Sequence, residues 1–174
     1  MSVNFGPDKH RTAKKVCRGS SMIEVLVSML ILAGGILGMN ALQTSSLKSN
    51  QNSYMRVLAN TYALDMVERV RANRTGARLG SYNNPTPILN SNCLNTTGCS
   101  AAQMAAHDVS EWETLVSTNL PLGSGVICLD ASPDDGTPAS PACDGTGRTY
   151  VVKIWWDANR SGTANRNYIM TFMP

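Results

Sequence analysis

The sequence predicts an α+β chain in which one long N-terminal helix packs its second half on a small C-terminal domain with a short antiparallel sheet. Three observations predict it. Met22 to Leu42 is an apolar run broken in polarity only by Glu24, Ser28 and Asn40. Beyond it, apolar residues recur at Leu47, Tyr54, Leu58, Tyr62, Met66 and Val70, a helical spacing with no Pro or Gly intervening. Near the C-terminus, Tyr150 to Trp156 and Tyr168 to Phe172 are strand-like runs flanking the polar stretch Asp157 to Asn167, the pattern of a hairpin.

As a helix, the first run spans about 30 Å, enough to cross a bilayer core. Lys9, Arg11, Lys14, Lys15 and Arg18 against Asp8 give the first nineteen residues a net charge of +4, and the whole chain carries +3, so the remainder carries −1. Basic residues before the run and their near absence until Lys48 place its N-terminus in the cytoplasm and everything after Leu42 outside. The same asymmetry removes the overall basicity as an argument for nucleic-acid binding. Three readings compete for the segment. A cleaved secretory signal lacks an A-x-A-like site after the run. A plain signal anchor leaves Glu24 unexplained, because a carboxylate within an apolar span is costly unless it lies at the interface or meets a partner. A processed precursor is the third reading.

The second helical stretch is expected to run to about Asn73 and to stop at Arg74-Thr75-Gly76, with a basic end and a glycine. Its stripe reads as core. Arg69, Arg71, Arg74 and Arg78 read as a solvated helix terminus that favours positive charge, not as an anion site. Gly76 to Gly98 is rich in Asn, Thr, Gly and Pro and reads as a loop. Ser100 with Gln103 forms a capping-box pattern, repeated at Asp108 and Glu111 as a second possible start. Trp112, Leu115 and Val116 share a face of that helix, which Pro121 ends. A short strand is expected at Val126 to Leu129, followed by a Pro/Gly/Asp loop to Thr149.

Cys93, Cys99, Cys128 and Cys143 form an even set, and Cys17 stands apart before the apolar run. Four cysteines allow three pairings. Sequence proximity suggests Cys93 with Cys99 and Cys128 with Cys143, consistent with an oxidising compartment outside the membrane. The zinc alternative has no C-x2-C spacing and no nearby histidine.

The stretch R-G-S-S-M-I-E-V-L-V from Arg18 to Val27 resembles the class III signal of type IV prepilins. The resemblance implies a pilin fold, cleavage after Gly19 by a membrane-embedded prepilin peptidase, and methylation of the new N-terminus at Ser20. It also implies that Glu24, fifth in the mature chain, neutralises the N-terminal ammonium of a neighbouring subunit, which would supply a partner for a charge in an apolar setting. Ser20 departs from the Phe common at the first mature position, and Ala41-Leu42 stands where many major pilins carry a kinking proline. Gly34, Gly35 and Gly38 could soften the helix or allow close packing. The implied organisation is a cleaved leader over 1–19, a transmembrane and assembly half over 20–44, the outer half of the helix over 45–75, and a periplasmic domain with two disulfide loops over 76–174.

The stretch from Asp108 to Cys128, with its D-x-x-x-W and L-P-x-G pieces, the later C-D-G and the closing strand pair are similar to the PilV-type minor pilins, also called type IV pilus modification proteins. That resemblance implies a minor pilus subunit acting in initiation of assembly, and in tip adhesion or twitching motility. Its implied partners are the prepilin peptidase, the other minor pilins and the major pilin, and the inner-membrane assembly platform. A type II secretion minor pseudopilin would share the N-terminal motif, and an unprocessed, membrane-anchored periplasmic binding module is the other alternative.

Catalytic chemistry finds little support. No G-x-S-x-G motif occurs, and the single histidine of the mature chain, His107, reads as partly exposed on a helix without a catalytic partner. Asp157 to Gly162 opens like a calcium loop, but the twelfth position is Tyr168 instead of a bidentate glutamate, so a polar turn is expected. Asp134-Asp135-Gly136 likewise reads as a turn. Neither a cofactor nor nucleic acid is expected. Strand alternation predicts that one of Trp155 and Trp156 is buried and the other is exposed to a partner.

Overall fold

The computed structural model describes residues 22–174. Seven elements follow in order: α1 (Met22–Ala72), α2 (Arg74–Arg78), a 3-10 turn (Ser91–Leu94), α3 (Ala101–Asn119), β1 (Ser124–Leu129), β2 (Tyr150–Trp156) and β3 (Arg166–Phe172). The chain divides into two compact units at residue 45.

The first unit, over its described residues 22–45, is helical throughout, including across Gly34, Gly35 and Gly38. Every one of these residues is exposed within its own chain. Ser28 Oγ and Thr44 Oγ1 donate to the carbonyls of Glu24 and Asn40 at 2.7 and 2.9 Å, so these two hydroxyls are satisfied within the helix itself.

The second unit, 46–174, is built on the outer part of α1. Met55, Ala59, Ala63, Met66 and Val70 form one buried stripe and pack against α3 and the sheet. Ala59 and Ala63 sit together between the larger Met55 and Met66, which lets neighbouring elements approach closely there. The sheet is antiparallel in the order β1-β2-β3. Its register pairs Leu129 with Tyr150 and Ser124 with Trp155 on one side of β2, and Tyr150 with Phe172 and Trp156 with Arg166 on the other.

α1 ends about where the sequence places its end, but the stop is made differently. α1 stops at Ala72, Asn73 leaves helical geometry, and a further turn, α2, follows. The cause is the Asn73 side chain: Oδ1 accepts from the Gly76 N–H at 3.1 Å while Nδ2 donates to the Ala101 carbonyl at 2.8 Å. Gly76 is therefore not a helix stop. A Cβ there would lie 2.5 Å from Asn73 Nδ2, so the glycine permits the close approach that the cap requires. α3 begins as expected, with Ser100 Oγ accepting from the Gln103 N–H and Gln103 Oε1 from the Ser100 N–H. It runs unbroken to Asn119, so Asp108 and Glu111 are mid-helix residues and not a second start. Leu120, extended ahead of Pro121, closes it. Trp112 and Val116 are buried, but Leu115 turns outward.

Strand alternation fails in β2, where all seven residues are buried, including both Trp155 and Trp156. The strand is central and both its faces are covered. Tyr150, Val152, Ile154 and Trp156 join the core with α1 and α3. On the opposite face Lys153 is capped by the segment after β1, through Asp130, Asp135 and Pro141.

Candidate anchoring and assembly site

Gly19 and Ser20, the expected cleavage and methylation positions, lie outside the described residues. Glu24 lies near the start of the described part of α1, at the head of an apolar surface. Met22, Ile23, Leu26, Leu30, Ile31 and Leu37 each expose 60% or more of their area, and the most apolar 18-residue window of α1, with mean hydropathy 2.2, has no residue buried by its own chain. An apolar helix that its own chain leaves uncovered requires an external apolar environment, either lipid or other helices.

Two disulfides stiffen the second unit. Cys93 is joined to Cys99 and Cys128 to Cys143, with Cα separations of 4.9 and 6.1 Å. The second anchors the segment that covers Lys153. There Lys153 Nζ lies 2.6 Å from Asp130 Oδ2 and 3.0 Å from Asp135 Oδ1, and it donates to the Pro141 carbonyl at 2.9 Å. Burial alone would lower the Lys153 pKa, but the hydrogen bonds and charges of Asp130 and Asp135 outweigh it and hold it above the ordinary value. The signal in the sequence is one lysine inside an otherwise apolar strand; that Asp130, directly after β1, meets it is decided by the folded sheet.

A second polar network ties α1 to α3. Arg69 Nε pairs with Asp65 at 3.0 Å, and its Nη1 with Glu111 at 2.9 Å and Asp108 at 3.4 Å. The Tyr82 hydroxyl, fully buried, donates to Asp108 Oδ2 and accepts from Asn73 Nδ2. Burial and then the adjoining Asp108 carboxylate push the Tyr82 hydroxyl well above its ordinary pKa. Arg69 is thus a structural clamp and not part of a solvated terminus, whereas Arg71 forms a surface pair with Glu68 at 2.8 Å. Arg71, Arg74 and Arg78 line a shallow cleft with Pro174. His107 is buried, not partly exposed: Nδ1 accepts from the Asn90 N–H at 3.1 Å, and Nε2 lies 3.4 Å from Glu111 Oε1. This contact fixes the loop before α3 on the helix.

The Asp157 turn is held by its own side chains. Asp157 Oδ2 accepts from the Gly162 N–H at 2.7 Å, and Oδ1 accepts from Asn165 Nδ2 at 2.9 Å and Ser161 Oγ at 3.3 Å. The carboxylate oxygens that a calcium ion would need are engaged in closing the turn. Among the described residues, no group of three or more His, Cys, Asp or Glu side chains is placed to hold a metal ion.

Residues 41–110 match a family model, Tt1218-like, described as Type IV pilin Tt1218. The matched stretch covers the outer part of α1, α2, the loop with the first disulfide and the first half of α3. No curated protein and no solved structure matches the chain. Type IV pilins are structural, non-enzymatic proteins with a long N-terminal helix on an antiparallel sheet, the architecture seen here. Over that stretch the chain is similar to the type IV pilins, and its long helix with an antiparallel sheet is the architecture of that fold.

Proposed function

We propose that this chain is a minor subunit of a type IV pilus, of the PilV kind, which contributes to initiation of assembly and to the adhesion or twitching motility of the finished pilus. It is made as a precursor, cut after Gly19 by prepilin peptidase and methylated at Ser20. Before assembly it is a single-pass inner-membrane protein with its C-terminal domain in the periplasm. During assembly the apolar helix leaves lipid for a bundle of subunits, and Glu24 neutralises the N-terminal ammonium of a neighbour. Its partners are the other minor pilins, the major pilin and the inner-membrane assembly platform.

The observation that carries this reading is the apolar surface of α1 between Met22 and Leu42, which the chain itself leaves uncovered. Such a surface suits a helix that exchanges one apolar environment for another, because lipid and a helix bundle cover it equally well. The match to type IV pilins over residues 41–110 supports the same reading.

Mass spectrometry of the protein from its host tests it. The expected N-terminus is Ser20, and Gly19→Leu is expected to keep all nineteen leader residues. Native protein that retains its leader would overturn the proposal. Co-purification with other minor pilins, and not with a secretin-dependent exporter, is the expected result that separates a pilus subunit from a secretion pseudopilin.

A further inference from the structure

Residues 46–174 contain ten Lys or Arg and ten Asp or Glu, so this unit is neutral as a whole. Its charges are not evenly paired. Arg69, Arg71 and Lys153 are held in ion pairs. Lys48, Arg56, Arg74, Arg78, Arg148, Arg160 and Arg166 are exposed and form no ion pair among the described residues, and four of them, Lys48, Arg56, Arg160 and Arg166, line neighbouring clefts.

These four cations converge. Lys48 and Arg160 line one cleft of about 460 Å³, Arg56 and Arg166 a second of about 280 Å³, and Lys48 and Arg166 a third of about 330 Å³. All three clefts share Ala158, so they adjoin one another, and no acidic residue lines any of them. The nearest carboxylate in sequence, Asp157, is buried and engaged with Ser161, Gly162 and Asn165. That turn presents Arg160 in a left-handed conformation, φ 55°, beside the start of the outer helix. Exposed Tyr54 lines the first of these clefts, and exposed Leu47 directly precedes Lys48 in the chain. An aromatic and an aliphatic side chain interleaved with Lys and Arg is the composition of a surface that sits at a membrane interface.

We propose that Lys48, Arg56, Arg160 and Arg166 form a basic collar that docks on anionic phospholipid headgroups at the surface of the bilayer in which the chain is anchored. The proposal rests on the membrane-anchored reading given above. Connectivity argues for this occupant. Lys48 follows Leu42, the end of the apolar run, by six residues, so the chain holds it within about 20 Å of that point whatever its path. A tether this short gives a high effective concentration of headgroups, and weak individual contacts suffice. Each cation brought next to an anionic surface strengthens the attraction about fivefold, and salt screens it. Docked in this way, the collar holds the periplasmic unit down on the membrane until extraction of the helix removes it from the headgroups.

The test uses the full chain reconstituted in lipid nanodiscs, with Gln51→Cys carrying a fluorophore in a Cys17→Ser background and with a spin-labelled headgroup lipid as quencher. Quenching is expected to rise severalfold when phosphatidylglycerol replaces part of the phosphatidylcholine, and to fall back in high salt. It is expected to lose its dependence on lipid charge in the double variant Arg160→Ser, Arg166→Ser. Equal quenching in both lipids, or a double variant that behaves as the parent, overturns the collar while leaving anchoring intact. Failure of the chain to co-elute with the discs overturns anchoring and the collar together. Release of quenching by an oligonucleotide at physiological salt would reassign the collar to nucleic acid and likewise overturn the proposal.

Discussion

Lys153 is the residue on which the outer face of the sheet depends. Its side chain has no solvent exposure, and neither has that of Asp130, its partner. Removing one member of such a pair leaves a buried charge without compensation, at a cost of about 3–5 kcal/mol. Lys153→Met is therefore expected to lower the unfolding free energy by about that amount in urea titration, and adding Asp130→Leu is expected to recover part of the loss. Acid acts through carboxylates held below their ordinary range. Asp135 is held below the ordinary carboxylate range by Lys153 and Ser132, and Asp144 by the backbone of Thr146. At Asp157 burial works the other way, but the hydrogen bonds from Ser161 and Gly162 outweigh it and the pKa is again lowered. A carboxyl whose folded pKa is depressed contributes stability that is complete above its unfolded value, 3.8 for aspartate, and lost as pH falls through the folded value. Thermal stability is thus expected to be flat on this account from pH 7 to pH 5 and to fall below pH 3.8. Asp157→Asn is expected to shrink the acid-induced rise in amide exchange at Gly162.

α3 and β1 meet where the Trp112 ring crosses Gly125. A Cβ at Gly125 would lie 2.3 Å from the ring edge, and the ring is fixed by full burial and by its N–H donating to the Tyr62 carbonyl at 2.8 Å. Gly125→Ala is expected to destabilise by about 1–3 kcal/mol through overpacking, read by chemical denaturation with the slope unchanged. The segment between β1 and β2 depends on a covalent tie instead. Cys128 and Cys143 are 15 residues apart, and opening a loop of that length costs about 3 kcal/mol in the chain-entropy model. The double variant Cys128→Ala, Cys143→Ala is expected to lose about that much and to raise amide exchange through residues 130–144 before the helices are affected. A uniform rise across the whole unit would argue against this order.

For the molecule as a whole, the division at residue 45 separates two kinds of stability. The second unit buries its own core, whereas the apolar helix before it depends on what surrounds it. A charge in the middle of that helix should weaken its partition into lipid without touching the folded unit. Leu30→Lys is expected to cost about 3 kcal/mol of insertion free energy, a mid-span lysine being that unfavourable, and so to lower the carbonate-resistant membrane fraction. Near-ultraviolet circular dichroism of the second unit is expected to be unchanged. A variant that stays wholly in the membrane fraction would show that the helix is held by something other than hydropathy.

Much of this architecture was legible in the chain because it rests on local rules. The apolar run, the helical stripe through Met66 and Val70, the Ser100 capping box and the β2–β3 hairpin all follow from periodicity and from side chains within a few positions of one another. What escaped depends on neighbours far apart in sequence. Trp155 and Trp156 are both buried because β2 acquires a cover on each face, and Asn73 breaks the helix because Ala101 and Tyr82 stand opposite it. Arg69 becomes a clamp because α3 brings Asp108 and Glu111 to it, and Lys48, Arg56, Arg160 and Arg166 become one surface because the turn after β2 folds back beside Lys48. By itself, then, the sequence determined the long helix with its apolar run, the capped helix after Ser100 and the closing strand pair. Tertiary structure alone decided which charges are paired and which are left facing outward, since pairing depends on distances that no local pattern encodes.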